Sequence, residues 1–190
     1  MSEQLSLLAS KFPEGLRYEP NFVDTRTAEN LVAEIRQLNL APFQFGQWEG
    51  KRRVVWFGWK YDYDARKIRK ASDVPDWLQP VASKIERFDD LEPGSIVQVL
   101  VTEYAAGAGI GWHRDKPHFD KIYGLSLLSG CKFRFRRRTG SKWERLTLDV
   151  APRSIYRLTG DSRHVWEHSI PSVDALRYSI TFRTMKLTRV

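Results

Sequence analysis

Two periodicities divide this chain. Between Thr25 and Asn39, Ala28, Leu31, Val32, Ile35 and Leu38 recur at helical spacing, so one face of a helix packs inward. Asp24 or Thr25 is placed to cap it. A second amphipathic helix is predicted from Pro75 to Phe88, with Leu78, Val81 and Ile85 inward and Pro80 straining its middle. From Gly94 onward the period falls to two. Ile96–Tyr104 reads as a strand, followed by candidates at 110–116, 123–128, 131–138, 142–149, 153–158, 164–168 and 176–187. Residues 1–23, broken by Pro13, Gly15 and Pro20, read as an irregular lead-in. Many short strands behind two helices predict an α+β, mainly β fold, a sandwich or jelly roll with N-terminal helical support.

The stretch Phe43–Arg69 fits neither period. It interleaves Arg52, Arg53, Arg66, Lys67 and Arg69 with Trp48, Trp56, Trp59, Tyr61 and Tyr63. Arginines among large rings can hold phosphates and stack on bases. A strand pair with rings inside and charges solvated explains the pattern equally well.

The 190 residues are expected to form one domain. An excess of 31 Lys and Arg over 23 Asp and Glu, with pI near 9.7, tilts the chain toward a polyanionic partner. One cysteine, Cys131, excludes an intrachain disulfide framework and a Cys-based zinc finger. There is no run of 18 apolar residues and no basic, then apolar N-terminus. A soluble, intracellular (cytoplasmic) monomer without a membrane partner is the expectation.

Chemistry concentrates around His113-Arg114-Asp115. On an extended strand, positions 113 and 115 share a face. A remote histidine would complete a 2-His-1-carboxylate triad, which suits Fe(II) and leaves coordination positions open. His168 and His164 compete for that role; His168, beside an apolar residue, Pro171 and the arginine strand, is preferred. His164 and His118 are read as solvated or supporting. In Arg177–Arg183, alternation puts Arg177, Ser179, Thr181 and Arg183 on one face and Tyr178, Ile180 and Phe182 on the other. Alone, that strand would bury its apolar face and leave the arginines wet. Beside the triad, its polar face suits a barrel interior holding a carboxylate, which arginine clamps in a planar, bidentate manner.

These motifs resemble the AlkB-like family of Fe(II)- and 2-oxoglutarate-dependent dioxygenases. The resemblance covers roughly residues 43–185. It rests on Phe57-Gly58…Tyr61-Asp-Tyr63, Tyr104…His113-Arg-Asp115, Arg153-Ser-Ile-Tyr156, Trp166-Glu-His168-Ser-Ile170 and Arg177-Tyr-Ser-Ile-Thr-Phe-Arg183. It implies a double-stranded β-helix with a jelly-roll core at 94–187 and a substrate-lid region at 43–70. It makes His113, Asp115 and His168 the iron ligands, Arg177 the anchor of the distal carboxylate of 2-oxoglutarate, and Arg183 a neighbour of the metal-bound end. Tyr104 matches a tyrosine that hydrogen-bonds the co-substrate. Thr102 and Ser179 stand where members carry asparagine. The implied reaction consumes 2-oxoglutarate and dioxygen, releases succinate and carbon dioxide, and hydroxylates an N-alkyl group that then leaves as an aldehyde.

By the same resemblance the substrate is an alkylated base in DNA or RNA, walled by Trp56, Trp59, Tyr61 and Tyr63, with Arg114 at hand. Chemistry on a base requires a single strand or an extruded nucleotide. Lys132, Arg134 and Arg136 alternate with Phe133 and Phe135, forming a basic stripe able to meet phosphates or a solvated face. Repair members often carry a base-reading carboxylate just past the metal aspartate; here Lys116-Pro117-His118 follows, and the next carboxylate is Asp120. Three readings stand: a nucleic-acid dealkylase, the same iron chemistry on a protein or small molecule, and a non-catalytic nucleic-acid-binding module.

Overall fold

The structure, a computed structural model, describes residues 12–45, 48–62 and 67–186. In chain order the elements are β1 (Arg17–Glu19), α1 (Thr25–Arg36), β2 (Ala41–Phe45), β3 (Trp48–Asp62), β4 (Lys67–Lys70) and α2 (Gln79–Phe88). After them come β5 (Ile96–Tyr104), β6 (Ile110–His113), β7 (Phe119–Leu127), β8 (Cys131–Thr139), β9 (Lys142–Val150) and β10 (Ile155–Leu158). Last are α3 (Gly160–His164), β11 (Glu167–Ile170) and β12 (Arg177–Met185).

The strands form two sheets. The larger runs β1-β10-β7-β12-β5-β3-β2, with β4 attached to β3, and the smaller runs β6-β11-β8-β9. All the ladders between named strands are antiparallel. Two sheets with this crossing order form the double-stranded β-helix, a jelly-roll variant.

Its layers follow from the alternation in β12. Tyr178, Ile180 and Phe182 face one core, with Leu31, Ile35, Val81 and Ile85 from the helices. The opposite face carries Arg177, Ser179, Thr181 and Arg183, which are also buried, because the smaller sheet covers them. A second apolar core, including Phe133, Phe135, Leu148 and Trp166, fills the rest of that interlayer space. Each fully buried side chain of this size contributes about 1.5–3 kcal/mol.

Several boundaries differ from the sequence reading. Asp24 does cap α1, its carboxylate accepting from the Thr27 amide at 2.7 Å. The helix ends at Arg36, short of Asn39, because Gln37 and Leu38 close three-residue turns onto Glu34 and Ile35. Pro80 does not strain a helix middle. A 3-10 turn at Asp76–Leu78 precedes α2, which puts Pro80 in its first turn, where no backbone donor is missed. The lead-in contains β1, paired with β10. The segment 164–168 is not one strand: α3 ends at His164 and β11 starts at Glu167. Phe43–Arg69 resolves into strands that begin at Ala41 and end at Lys70, broken by a positive φ at Gly58 that neither simple period contains. There a Cβ would sit 2.1 Å from the Val97 carbonyl oxygen.

Candidate active site

His113 ends β6, and the chain leaves the sheet before reaching Asp115. The two side chains therefore meet through a loop and not through strand alternation, which corrects the same-face expectation. His168 lies in β11, in register with His113. One ligand atom from each of His113, Asp115 and His168 lies within 4.8 Å of the others. His168 Nε2 and Asp115 Oδ2 are 3.4 Å apart. Three donors this close together would hold a single ion between them.

The protonation states suit a metal. His113 Nδ1 donates to the Gly111 carbonyl at 2.8 Å, which leaves Nε2 with its lone pair. Burial, and then His168, push His113 down to about 4, so the ring is neutral at neutral pH. Burial alone would raise the Asp115 carboxyl, but the Arg183 guanidinium and the two histidines outweigh it and hold the group well below the usual carboxylate range. Two imidazoles and one carboxylate form the donor set of a facial triad.

Asp115 is clamped from two sides. Arg183 donates to its Oδ1 from Nε at 3.0 Å and from a terminal nitrogen at 2.6 Å, and its other terminal nitrogen donates to Gln98 at 2.6 Å. Arg163, on α3 and 3% exposed, donates to the carbonyls of Asp115, Lys116 and Phe119. Sequence reasoning missed Arg163; the signal lay in the Thr159–Ser162 capping box, which opens a short helix between the strand candidates 153–158 and 164–168.

Behind the triad, β5 and β12 carry the expected co-substrate residues as register partners. Tyr104 faces Arg177, and Thr102 faces Ser179. Thr102, Tyr104, Tyr156 and Ser179 line an inner chamber together with the triad. Arg177 is 0% exposed; its Nε donates to Ser126 at 3.0 Å, and its guanidinium carbon stands 5.2 Å from the Tyr104 ring centre. Among the described residues, both terminal nitrogens of Arg177 are buried without a hydrogen-bond partner. A buried cation with two unused donors fits a carboxylate in bidentate contact. The two arginines thus differ: Arg177 is free to meet an anion, whereas Arg183 is already engaged with Asp115.

The outer mouth of the site is lined by Phe43, Arg52, Trp56, Tyr61, Arg114 and Lys116, among others. Trp56 and Tyr61 differ in strand parity, and the break at Gly58 between them lets both reach the mouth. Arg114 also donates to the His164 carbonyl at 3.3 Å. Arg52 stacks on Phe43, with its guanidinium carbon 4.0 Å from the ring centre, and it borders the inner chamber as well. Trp59 does not line this cavity and is 38% exposed. Tyr63 and Arg66 lie outside the described residues. His118 is exposed, its ring centre 5.3 Å from that of Tyr61.

The 2OG-Fe(II) oxygenase superfamily matches residues 15–183. An "Alkylated DNA repair protein ALKBH8 homolog" of Arabidopsis thaliana is 30% identical across 90% of this chain and 56% of its own length. A mouse "tRNA (carboxymethyluridine(34)-5-O)-methyltransferase ALKBH8" is 33% identical over 63% of this chain. The chain spans only 18% of that protein, and about half of the Arabidopsis relative. Among solved structures, OsALKBH1 superposes with a TM-score of 0.69 over 91% of this chain and 98% of its own, at 15% identity. A prolyl hydroxylase from Trichoplax adhaerens follows at 0.66 over 96% and 90%, at 14% identity. At such identities these two likenesses speak for the fold alone. With the superfamily match spanning both sheets and the triad between them, the chain belongs to the 2OG-Fe(II) oxygenase superfamily, as an AlkB-like member.

Proposed function

We propose that this protein is an Fe(II)- and 2-oxoglutarate-dependent dioxygenase that removes N-alkyl groups from bases in single-stranded or unstacked nucleic acid. One observation carries the substrate reading: the mouth over His113 and Asp115 combines flat rings (Phe43, Trp56, Tyr61) with cations (Arg52, Arg114, Lys116). Rings hold an extruded base and cations hold its phosphates. The names of the Arabidopsis and mouse relatives, one for alkylated DNA and one for tRNA, support nucleic acid without choosing between its forms.

In this reading His113, Asp115 and His168 hold the iron, and Arg177 receives the distal carboxylate of 2-oxoglutarate, with Thr102, Tyr104 and Ser179 lining its path. Bound iron with 2-oxoglutarate and dioxygen supplies the oxidising power that hydroxylates the alkyl carbon. The protein's own residues do the positioning. Arg183 keeps Asp115 ionised and aimed at the metal, and Arg163 fixes the backbone that carries it. Phe133 and Phe135 pack against the His168 ring and keep water from that side. The whole chain, 1–190, acts as one catalytic domain, with 43–70 over the substrate and 94–187 as the jelly-roll core.

The test is to incubate Fe(II)-loaded protein with 2-oxoglutarate and methylated DNA or RNA oligonucleotides, measuring succinate and restored bases. Both should appear together and vanish in His113→Ala. Succinate without base repair would move the chemistry to a protein or small-molecule substrate; no metal binding by the wild type would end the enzyme reading.

A further inference from the structure

The outer face of the smaller sheet, turned away from the triad, carries a ladder of arginines and tryptophans that the catalytic reading does not use. Phe133 and Phe135 point inward, so Lys132, Arg134, Arg136 and Arg138 alternate outward on β8. Arg134 and Arg136 stand over the Trp112 ring at 5.2 and 4.5 Å, and Arg136 and Arg138 over Trp143 at 4.3 and 4.8 Å.

Two details separate this ladder from an ordinary solvated face. Arg134 and Arg136 are pinned through Nε, to Ser169 at 3.2 Å and Glu167 at 2.6 Å, and their terminal nitrogens make no hydrogen bond among the described residues. Held at the neck and braced by a ring, each presents the fork that grips a phosphate. Second, Arg136 pairs across the strands with Arg145, which is exposed and has no hydrogen bond or ion pair among the described residues. Like charges directly opposite each other destabilise a sheet. Folding gains nothing from that pair, whereas a polyanion would relieve it. Across β8, β9 and β11, five outward cations (Lys132, Arg134, Arg136, Arg138, Arg145) face two carboxylates (Asp149, Glu167).

The ladder also leads to the active site. Trp112 belongs to β6, the edge strand of this sheet, and its chain neighbour is His113. A chain leaving the mouth over that edge meets Trp112 and then the arginines. Duplex DNA, stiff over about 150 base pairs, cannot turn so sharply, while a single strand can. Both tryptophans are already stacked with guanidinium groups, so the surface suits phosphates better than bases.

We infer that the outer face of the β6-β11-β8-β9 sheet is a docking surface for the phosphodiester backbone of a single-stranded nucleic acid flanking the base in the active site. This rests on the nucleic-acid reading proposed above, but it is tested separately, by binding of unmodified strands. The probes are fluorescein-labelled single-stranded RNA and DNA of about 18 nucleotides, enough to cover more than one local site, and a trinucleotide that fills the mouth alone. Anisotropy titrations at several salt concentrations compare wild type with an Arg134→Gln/Arg136→Gln/Arg145→Gln variant. Single-strand binding loses about 0.7 of its logarithmic salt slope per phosphate contact, so the variant's slope should be shallower by about 2. Its affinity for the longer strand should fall at least tenfold, with trinucleotide binding and 2-oxoglutarate turnover unchanged. Arg145→Glu, which removes no hydrogen bond or ion pair among the described residues, should alone weaken the longer strand several-fold, so the inference stays testable if the triple variant misfolds. The RNA and DNA arms show which backbone is held. Equal slopes, equal weakening of the trinucleotide, a silent Arg145→Glu, or wild type that holds anionic phosphatidylserine vesicles but neither strand would overturn the inference. Absence of base repair with these binding results intact would remove the proposed reaction and leave the docking surface standing.

Discussion

A guanidinium that is 0% exposed, with both terminal nitrogens unpartnered, lowers stability until an anion reaches it; among the described residues Arg177 is in that position. Replacing it should therefore separate stability from function. Arg177→Met should leave the ligand-free protein as heat-stable as wild type or more so, while abolishing the stabilisation that 2-oxoglutarate gives. The KM for 2-oxoglutarate should rise about 10- to 100-fold, the range of a lost charge-assisted contact. Thermal melts with and without 2-oxoglutarate, and succinate kinetics, check both halves. A variant that melts far below wild type would mean that Arg177 supports the fold and not a ligand. Gly124 poses a second residue-scale question. A Cβ there would stand 2.1 Å from the Tyr156 ring, which lines the co-substrate chamber. Gly124→Ala should displace that ring and lower kcat with 2-oxoglutarate by tenfold or more, with Gly124→Ala/Tyr156→Phe no better because the ring itself clashes. At this scale the sequence was readable where chemistry is rare: four histidines and two His-X-Asp runs, at His113 and His118, left few triads to consider. It was silent on Gly124, since a glycine inside a strand does not say which ring it admits.

At the scale of elements, period-two alternation located β5 to the residue and β8, β9 and β12 to within one or two. Alternation places nothing where the backbone changes rule over a few residues. β6 stops at His113, so alternation cannot place Asp115, and α3 fits five residues between two strands. That short helix matters because Arg163 projects from it and holds three carbonyls of the loop carrying Asp115. The burial of Arg163 was invisible in sequence, since an arginine is exposed by default. Groups that orient metal ligands typically change affinity 10- to 100-fold when removed. Arg163→Met should accordingly weaken Fe(II) binding within that range, measured by anaerobic titration, with far-ultraviolet circular dichroism unchanged. Wild-type metal affinity in a folded Arg163→Met protein would show that the loop holds its shape unaided.

At the scale of the whole molecule, a buried carboxylate at the end of α2 helps tie the helical layer to the large sheet. Asp89, just past α2, accepts from the Tyr123 hydroxyl at 2.6 Å, from Lys121 at 2.9 Å and from Arg157. These join the end of α2 to β7 and β10, and through β10 to β1. Burial would raise the Asp89 carboxyl, but the hydrogen bonds from Tyr123, Lys121 and Arg157 outweigh it and hold the group below its ordinary value of 3.8. A carboxyl more acidic folded than unfolded adds stability above the unfolded value, and that stability disappears as pH falls through the folded one. Asp89→Asn keeps the shape and removes the charge. It should cost about 2 kcal/mol at pH 7, less than a fully enclosed pair, because Lys121 and Arg157 retain partial exposure. The difference between wild type and variant should hold constant from pH 7 down to about 5 and then shrink below 4, as the wild-type carboxylate takes up its proton. Urea denaturation midpoints across that range provide the measurement. A gap that persists undiminished below pH 3 would assign the loss to packing around the side chain, and one that widens in acid would reverse the sign argued here. No such tie could be read from the chain beforehand, since it joins Asp89 to Tyr123 and Arg157, 34 and 68 positions away, and no local pattern pairs residues so far apart.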